Sequence, residues 1–219
     1  MFALPDLPYG YSDLAPVISE RTLRLHHDKH HRAYVEATNA LLADGPESLE
    51  DVIGDASRAG DKKKLFNNAA QAWNHAFFWA AMSPRRDAVA QELASAIKAA
   101  FGDPKSLRAK FIEEGSGHFG SGWVWLVCDE AGKLAIRATH DADDTLTKPG
   151  VTPLLVCDLW EHAYYLDHQN DRKGFLSAWF DALPNWSFAS SQFAAAHGDG
   201  ATWRYPPPDA HSATLRRAG

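Results

Sequence analysis

The chain is poor in cysteine, with only Cys128 and Cys157 in 219 residues, so one disulfide is the most it can form. Both lie in apolar, strand-like runs where a reduced thiol behaves as a small hydrophobe, and both read as free core residues. Long hydrophobic runs are missing too. No stretch approaches the roughly 18 apolar residues of a membrane span, and the opening MFALPDLPYGYSDL has neither the basic nor the apolar region of a secretory signal. The expected address is the cytoplasm, with no membrane partner. Positive charge is also scarce, 22 Lys and Arg against 28 Asp and Glu, for a formal net charge of −6. That balance argues against nucleic acid as a partner, because a phosphate backbone is bound by concentrated positive charge. Tryptophan, by contrast, is plentiful, with 8 residues, and where these fall matters more than the count.

No repeat is present, so organisation is read from periodicity and punctuation. The chain divides near Pro84. Ser19 is a good N-cap, and after it Leu23, His26, His30, Tyr34, Ala37 and Leu41 follow helical spacing until Gly45 and Pro46. A second helical pattern runs from about Lys64 through FNNAAQAWNHAFFWAAM and stops before Ser83 and Pro84. Residues 1–84 therefore read as a helical hairpin. Beyond Pro84, DAVAQELASAIKAAFG and SLRAKFIEEG read as amphipathic helices, GWVWLVCDEAGKLAIRAT as two strands about a glycine-containing turn, and TPLLVCDLW as a third strand. GFLSAWFDALPNWSFASSQFAAA is apolar at helical spacing, and Pro184 must kink or break it. Residues 85–197 thus read as an α/β unit with a small three-stranded antiparallel sheet and surrounding helices, making the whole α+β. Residues 198–219 lack any period and are expected to form a disordered tail.

Three elements could carry chemistry. On a regular helix, residues four apart face the same way, so His26, His30 and Tyr34 form one row and His27 and His31 a neighbouring one. The row containing Leu23 and Leu41 is expected to face the core, which makes His26 and His30 the buried pair and leaves His27 in solvent. Buried histidines are usually hydrogen-bonded core residues, so this helix alone does not make a metal site. In the second helix Gln71, His75 and Trp79 share a face inside a segment of Ala, Phe and Trp. A polar row there needs buried partners, since an unpaired amide or imidazole costs about 1–3 kcal/mol. In CDLWEHAYY, Asp158 and His162 flank Trp160 and Glu161 at a strand end, and Asp158 is either a helix-initiating cap or a ligand. Combined, these elements offer three imidazoles and one carboxylate, a donor set that suits Fe, Mn or Zn and leaves residual positive charge for a small anion.

The segments HHDKHHRAYV, FNNAAQAWNHAFFW, FGSGWVWLV and DLWEHAYY together resemble the iron/manganese superoxide dismutase family. The likeness extends from LPDLPYGYSDLAPVIS through NWSFASSQFAAA, nearly the whole chain except the tail. It implies an oxidoreductase that disproportionates superoxide to oxygen and hydrogen peroxide at one mononuclear metal ion per subunit. It implies His26, His75, Asp158 and His162 as the ligands, and a proton relay of Tyr34, His30 and Gln71. Trp79, Trp123, Trp125 and Trp160 would form the apolar wall, and Trp186 would belong to the core. A homodimer follows from the same likeness: Glu161 would bond the partner's His162, Tyr165 would reach across to His30, and His31 would lie at the interface or just behind the ligands. Family members that use iron carry a key glutamine on the second helix, as Gln71 stands here. Manganese members carry it from the sheet, where this chain has Ala142, so iron is the expected cofactor and manganese the alternative. Given the net charge of −6, Lys29 and Arg172 are the expected basic residues that steer the superoxide anion. Three other readings carry less weight: a fold kept only for interaction, a non-haem iron oxygenase, which uses fewer protein ligands, and a structural zinc site, which would leave Gln71 and Tyr34 without a task.

Overall fold

The computed structural model describes residues 1–42 and 48–207. The first helical rod consists of α1 (Glu20–Leu25), a π-helical turn (His26–His31) and α2 (Arg32–Leu41). Ser19 starts it as expected, its hydroxyl accepting from the Thr22 amide at 3.2 Å. Gly45 and Pro46, expected to end the rod, lie outside the described residues. Next comes α3 (Leu49–Arg58), which the gross pattern of Gly, Pro and charge between the two long helices did not suggest. Its signals are local. Ser48 caps it by accepting from the Asp51 amide, and Leu49, Val52, Ile53 and Ala56 bury one face at helical spacing. The long helix α4 (Lys63–Ala80) packs against both α2 and α3 and completes the hairpin.

After the hairpin come α5 (Gln91–Phe101) and α6 (Pro104–Gly117), the latter with Asp103 as its N-cap and Pro104 in its first turn. Three antiparallel strands follow, β1 (Gly122–Asp129), β2 (Leu134–His140) and β3 (Val151–Asp158), in the order β2-β1-β3. The central position of β1 explains its composition: Gly122 through Cys128 are all buried, as a strand covered on both faces requires. Register places Trp123 opposite Asp158, so the strand end that carries the carboxylate lies beside the tryptophan-rich strand. A single 3₁₀ turn (Glu161–Ala163) and the short α7 (Tyr165–His168) lead into α8 (Arg172–Ala182) and α9 (Trp186–Ala196). Pro184 falls between the last two helices, and Met82 bridges to it. Helix α9 lies on β3, α6 lies on β1 and β2, and α4 reaches across from the hairpin to touch β3. The architecture is the expected α+β arrangement of helical hairpin and small sheet.

The tail departs from expectation. Within it Trp203, Arg204 and Tyr205 contact the body of the molecule, with Tyr205 only 4% exposed and its hydroxyl donating to the Ala3 carbonyl at 2.7 Å. Lack of periodicity hid this, because two aromatic side chains in an irregular segment can bury apolar area without forming a helix or strand. The remainder of the expected tail, 208–219, lies outside the described residues.

Candidate metal centre

The rod carrying the histidines is not a regular α-helix where they occur. Across the π-helical turn the backbone bonds run five residues back instead of four, and this changes which side chains share a face. His26, His27 and His31 are buried, while His30 lies at the exposed edge. The expectation of His26 and His30 as the buried pair, with His27 in solvent, is therefore corrected. Leu41, expected to face the core, is also exposed. His27 is anchored by its Nε2, which donates to the Pro5 carbonyl at 2.9 Å, while its Nδ1 lies near Asp28 and the Tyr11 hydroxyl.

His31 lies just behind the donor residues, one of the two places expected for it. It is fully buried, its Nε2 donating to the Ala72 carbonyl at 2.9 Å and its Nδ1 accepting from the Trp79 indole at 3.0 Å. A carbonyl can only accept and an indole N–H can only donate, so the two bonds fix one neutral tautomer. Burial pushes its pKa down to about 3. Its ring lies nearly parallel to that of His75, with centroids 5.4 Å apart. This buttress was missed in the sequence because four-residue spacing does not hold through the turn.

Helix α4 keeps regular geometry, so Gln71, His75 and Trp79 do share a face, and all three are buried. His75 donates from Nδ1 to the Gln71 carbonyl at 2.7 Å, which leaves its Nε2 as a free lone pair. Asp158 is fully buried at the end of β3, with Oδ1 accepting from the Trp160 amide at 2.7 Å. The capping role weighed for Asp158 thus takes one oxygen only. Its Oδ2 points the other way, 3.1 Å from His26 Nε2, 3.4 Å from His162 Nε2 and 3.8 Å from His75 Nε2.

One ligand atom from each of these four residues lies within 4.8 Å of the other three. All four atoms are buried and lack a hydrogen-bond partner among the described residues. Four converging orphan acceptors would be a serious stability cost in a protein that left them so, and a cation bound among them satisfies all four at once. Burial, reinforced by the neighbouring imidazoles, drives the pKa values of His26 and His75 well below the usual range. Both therefore stay neutral, the form a metal requires. The residues present fit a single transition metal with three nitrogen donors and one oxygen donor.

Around this cradle Trp79 stands edge-on to His26 at 4.8 Å, Trp123 edge-on to His75 at 5.0 Å, and Trp160 stacks on His162 at 5.6 Å. Trp125 lies one layer further out, behind Trp123, with its indole donating to Thr139. Gln71 is 2% exposed and its Oε1 accepts from the Trp123 indole at 3.2 Å. Tyr34 is half-buried beside His75, and burial together with the Asp158 carboxylate raises its pKa. His30 stacks on His162 with centroids 4.3 Å apart. Glu161 and Tyr165 are exposed next to His162 in the chain, and Lys29 is exposed on the π-helical turn. Ala142 is buried. Arg172 donates to the Tyr164 hydroxyl and to the carbonyls of His118 and Gly120, so its guanidinium ties α8 to the segment before β1.

Comparison with known proteins agrees with this geometry. Residues 1–83 match the family description "Iron/manganese superoxide dismutases, alpha-hairpin domain", and residues 88–192 match "Iron/manganese superoxide dismutases, C-terminal domain". The chain is 47% identical over 203 residues to a protein of Synechocystis named iron superoxide dismutase, covering 89% of this chain and 99% of the relative. It is 46% identical over 196 residues to a protein of the same name from Coxiella burnetii, covering 88% and 98%. With a third such relative, from Entamoeba histolytica, identity is 45% over 191 residues, covering 87% and 98%. A hairpin, a sheet unit and a four-donor cradle between them, matched along both halves, establish that the chain belongs to the iron/manganese superoxide dismutases.

Proposed function

We propose that this protein is an iron superoxide dismutase, with His26, His75, Asp158 and His162 holding one iron ion per chain. The observation that carries the reading is the convergence of four buried, unpartnered donor atoms within 4.8 Å. Iron bound there supplies one-electron oxidation of one superoxide and one-electron reduction of a second, which gives oxygen and hydrogen peroxide. The chain's own residues orient the ligands, exclude water and move protons. The Gln71 carbonyl holds His75 with its Nε2 toward the cradle, and the Trp160 amide holds Asp158 by one oxygen. The indoles of Trp79, Trp123 and Trp160 keep bulk water from the ligand rings, with Trp125 packed behind them. Tyr34, half-buried beside His75, and the buried Gln71, together with His30 at the exposed edge, form the route by which protons enter. The raised pKa of Tyr34 keeps its hydroxyl protonated at neutral pH, as a proton donor must be.

Iron is favoured over manganese because the buried amide comes from α4, as Gln71, while the position that carries it in manganese members of the family is Ala142 here. The test is reconstitution with each metal separately, metal content and superoxide decay being measured on the same samples. Fast decay with iron and little with manganese supports both parts of the reading; equal rates overturn the choice of metal alone. Tyr34→Phe is expected to keep full iron content and lower the rate of superoxide decay at saturation, as loss of a proton donor predicts.

Dimerisation is part of the proposal. Phe119 is 93% exposed, and Leu25, Tyr165 and Leu166 are exposed as well, an excess of apolar surface that a second copy would cover. Glu161, exposed beside His162, would bond the partner's His162 and so orient a ligand across the interface, and Tyr165 would reach the partner's His30. Sedimentation should give a dimer, and Phe119→Asp a monomer. Lys29 provides exposed positive charge for steering the anion; Arg172 adds charge while clamping its segment. Lys29→Glu should slow superoxide capture and alter its salt dependence. No described helix is long and apolar enough to cross a membrane, and the two buried free cysteines fit a reducing compartment such as the cytoplasm.

A further inference from the structure

The family match ends at residue 192, yet the chain beyond it makes specific contacts with both halves of the molecule. Gly198 and Gly200, with φ of 86° and 96°, let the backbone turn away from α9, a conformation that a side chain would strain. The Trp203 amide then donates to Gln192 Oε1 at 2.7 Å, and Gln192 itself is buried against β3, reaching the Pro153 carbonyl. The Trp203 ring stands edge-on to Trp73 at 5.4 Å and to Phe77 at 5.5 Å, both on α4. Two residues later the Tyr205 amide donates to Glu50 Oε1 at 2.6 Å. The same oxygen accepts from the Trp73 indole at 2.9 Å, while Arg204 lies 3.6 Å from the other oxygen and also donates to Ser48. Finally, Tyr205 bonds Ala3 and meets the Phe2 ring edge-on at 6.0 Å.

These contacts run from α9 and β3, across α4, to α3 and the N-terminal segment. Trp73 and Phe77 are each two residues from His75, which on a helix places them about 200° round the axis, on the face turned away from the metal cradle. The segment therefore presses on the back of the helix that carries Gln71 and His75, and the Glu50 carboxylate ties that helix to α3 at the same point.

We propose that Trp203, Arg204 and Tyr205 form a clasp that holds α4 against the sheet unit, and that through α4 these residues act as positioning residues for His75, slowing release of the metal. The inference rests on the reading of the metal centre given above. A clasp of this kind predicts two separable effects, one on the stability of the metal-free fold and one on metal retention.

The experiment compares the full chain with a version ending at Asp199, a version ending at Pro207, and the variants Trp203→Ala and Ile97→Ala. Ile97 is buried on α5, which packs on α6, β2 and α9, so its truncation destabilises the protein without touching the clasp. For each, the thermal midpoint is measured without metal, and release of iron to excess chelator is timed from the reconstituted protein. Ending the chain at Asp199 should lower the metal-free midpoint by about 6–10 °C and speed iron release about tenfold. Trp203→Ala should show most of both effects, and the version ending at Pro207 should show neither. Ile97→Ala should lower the midpoint while leaving the release rate within about twofold of the full chain. An unchanged midpoint on ending at Asp199 would overturn the clasp. A lowered midpoint with unchanged release, or equal acceleration in Ile97→Ala, would overturn the positioning role. Should the full chain retain no iron at all, the reading of the metal centre fails, and the metal-free midpoints alone then decide whether the clasp exists.

Discussion

Helix α4 and the π-helical turn before α2 both carry histidines into one cradle, yet only in α4 does four-residue spacing tell which side chains share a face. In α4, Gln71, His75 and Trp79 line up as the regular backbone ladder requires. In the π-helical turn one extra residue enters the ladder, so His31 replaces His30 as the inward partner of His26. The extra residue brings a second buried imidazole to the back of His75 and leaves His30 at the exposed edge, stacked on His162. An irregular helix thus puts three neighbouring imidazoles in three different places: inside the cradle, behind it and at its exposed edge.

The largest effect is expected from deleting Lys29, within the π-helical turn. Removal of one residue should restore α-helical bonding and rotate α1 by about 100° relative to α2, carrying His26 out of the cradle. Bound iron should then fall from one per chain to nearly none on metal analysis, whereas wild-type content would show that the turn is dispensable.

A milder test contrasts the inward and outward histidines. His31→Leu leaves the Trp79 indole buried without a partner and takes from the Ala72 carbonyl the bond it accepts beyond its helical one, and should cost about 3 kcal/mol in denaturant unfolding of the metal-free protein. His30→Leu, at an exposed edge, should change that stability by no more than about 0.5 kcal/mol. Similar losses for both would contradict the assignment of inward and outward faces. Trp79→Phe, which keeps a ring against His26 and removes one bond to His31, should fall between the two, with a loss of about 1 kcal/mol in the same assay.

Much of the fold could be read from the sequence because its signals are regular. The apolar run of β1, the cap at Ser19 and the break at Pro184 all act locally, and the structure follows them. Three elements could be brought together because their polar groups stood out in apolar surroundings, and buried polar groups need partners; the choice of His26 over His30 came from the family likeness alone. Three features could not be read. The π-helical turn leaves no mark in residue spacing. Helix α3 was masked by the charges between its apolar positions, which form a periodic face only once those charges are seen to lie on the opposite side. The docked segment at Trp203 and Tyr205 is irregular, and its anchor, Glu50, lies 155 residues away from Tyr205 in the chain. Local pattern carries no information on a contact of that separation.

The function proposed above has four converging donors holding one iron ion, and this centre disproportionating superoxide. Its most direct test is the rate of superoxide decay measured across samples loaded with graded amounts of iron, each with its iron content determined. The rate should be proportional to iron, reaching its maximum at one ion per chain and absent from His75→Ala. A fully iron-loaded protein that leaves superoxide to decay at its spontaneous rate would contradict it.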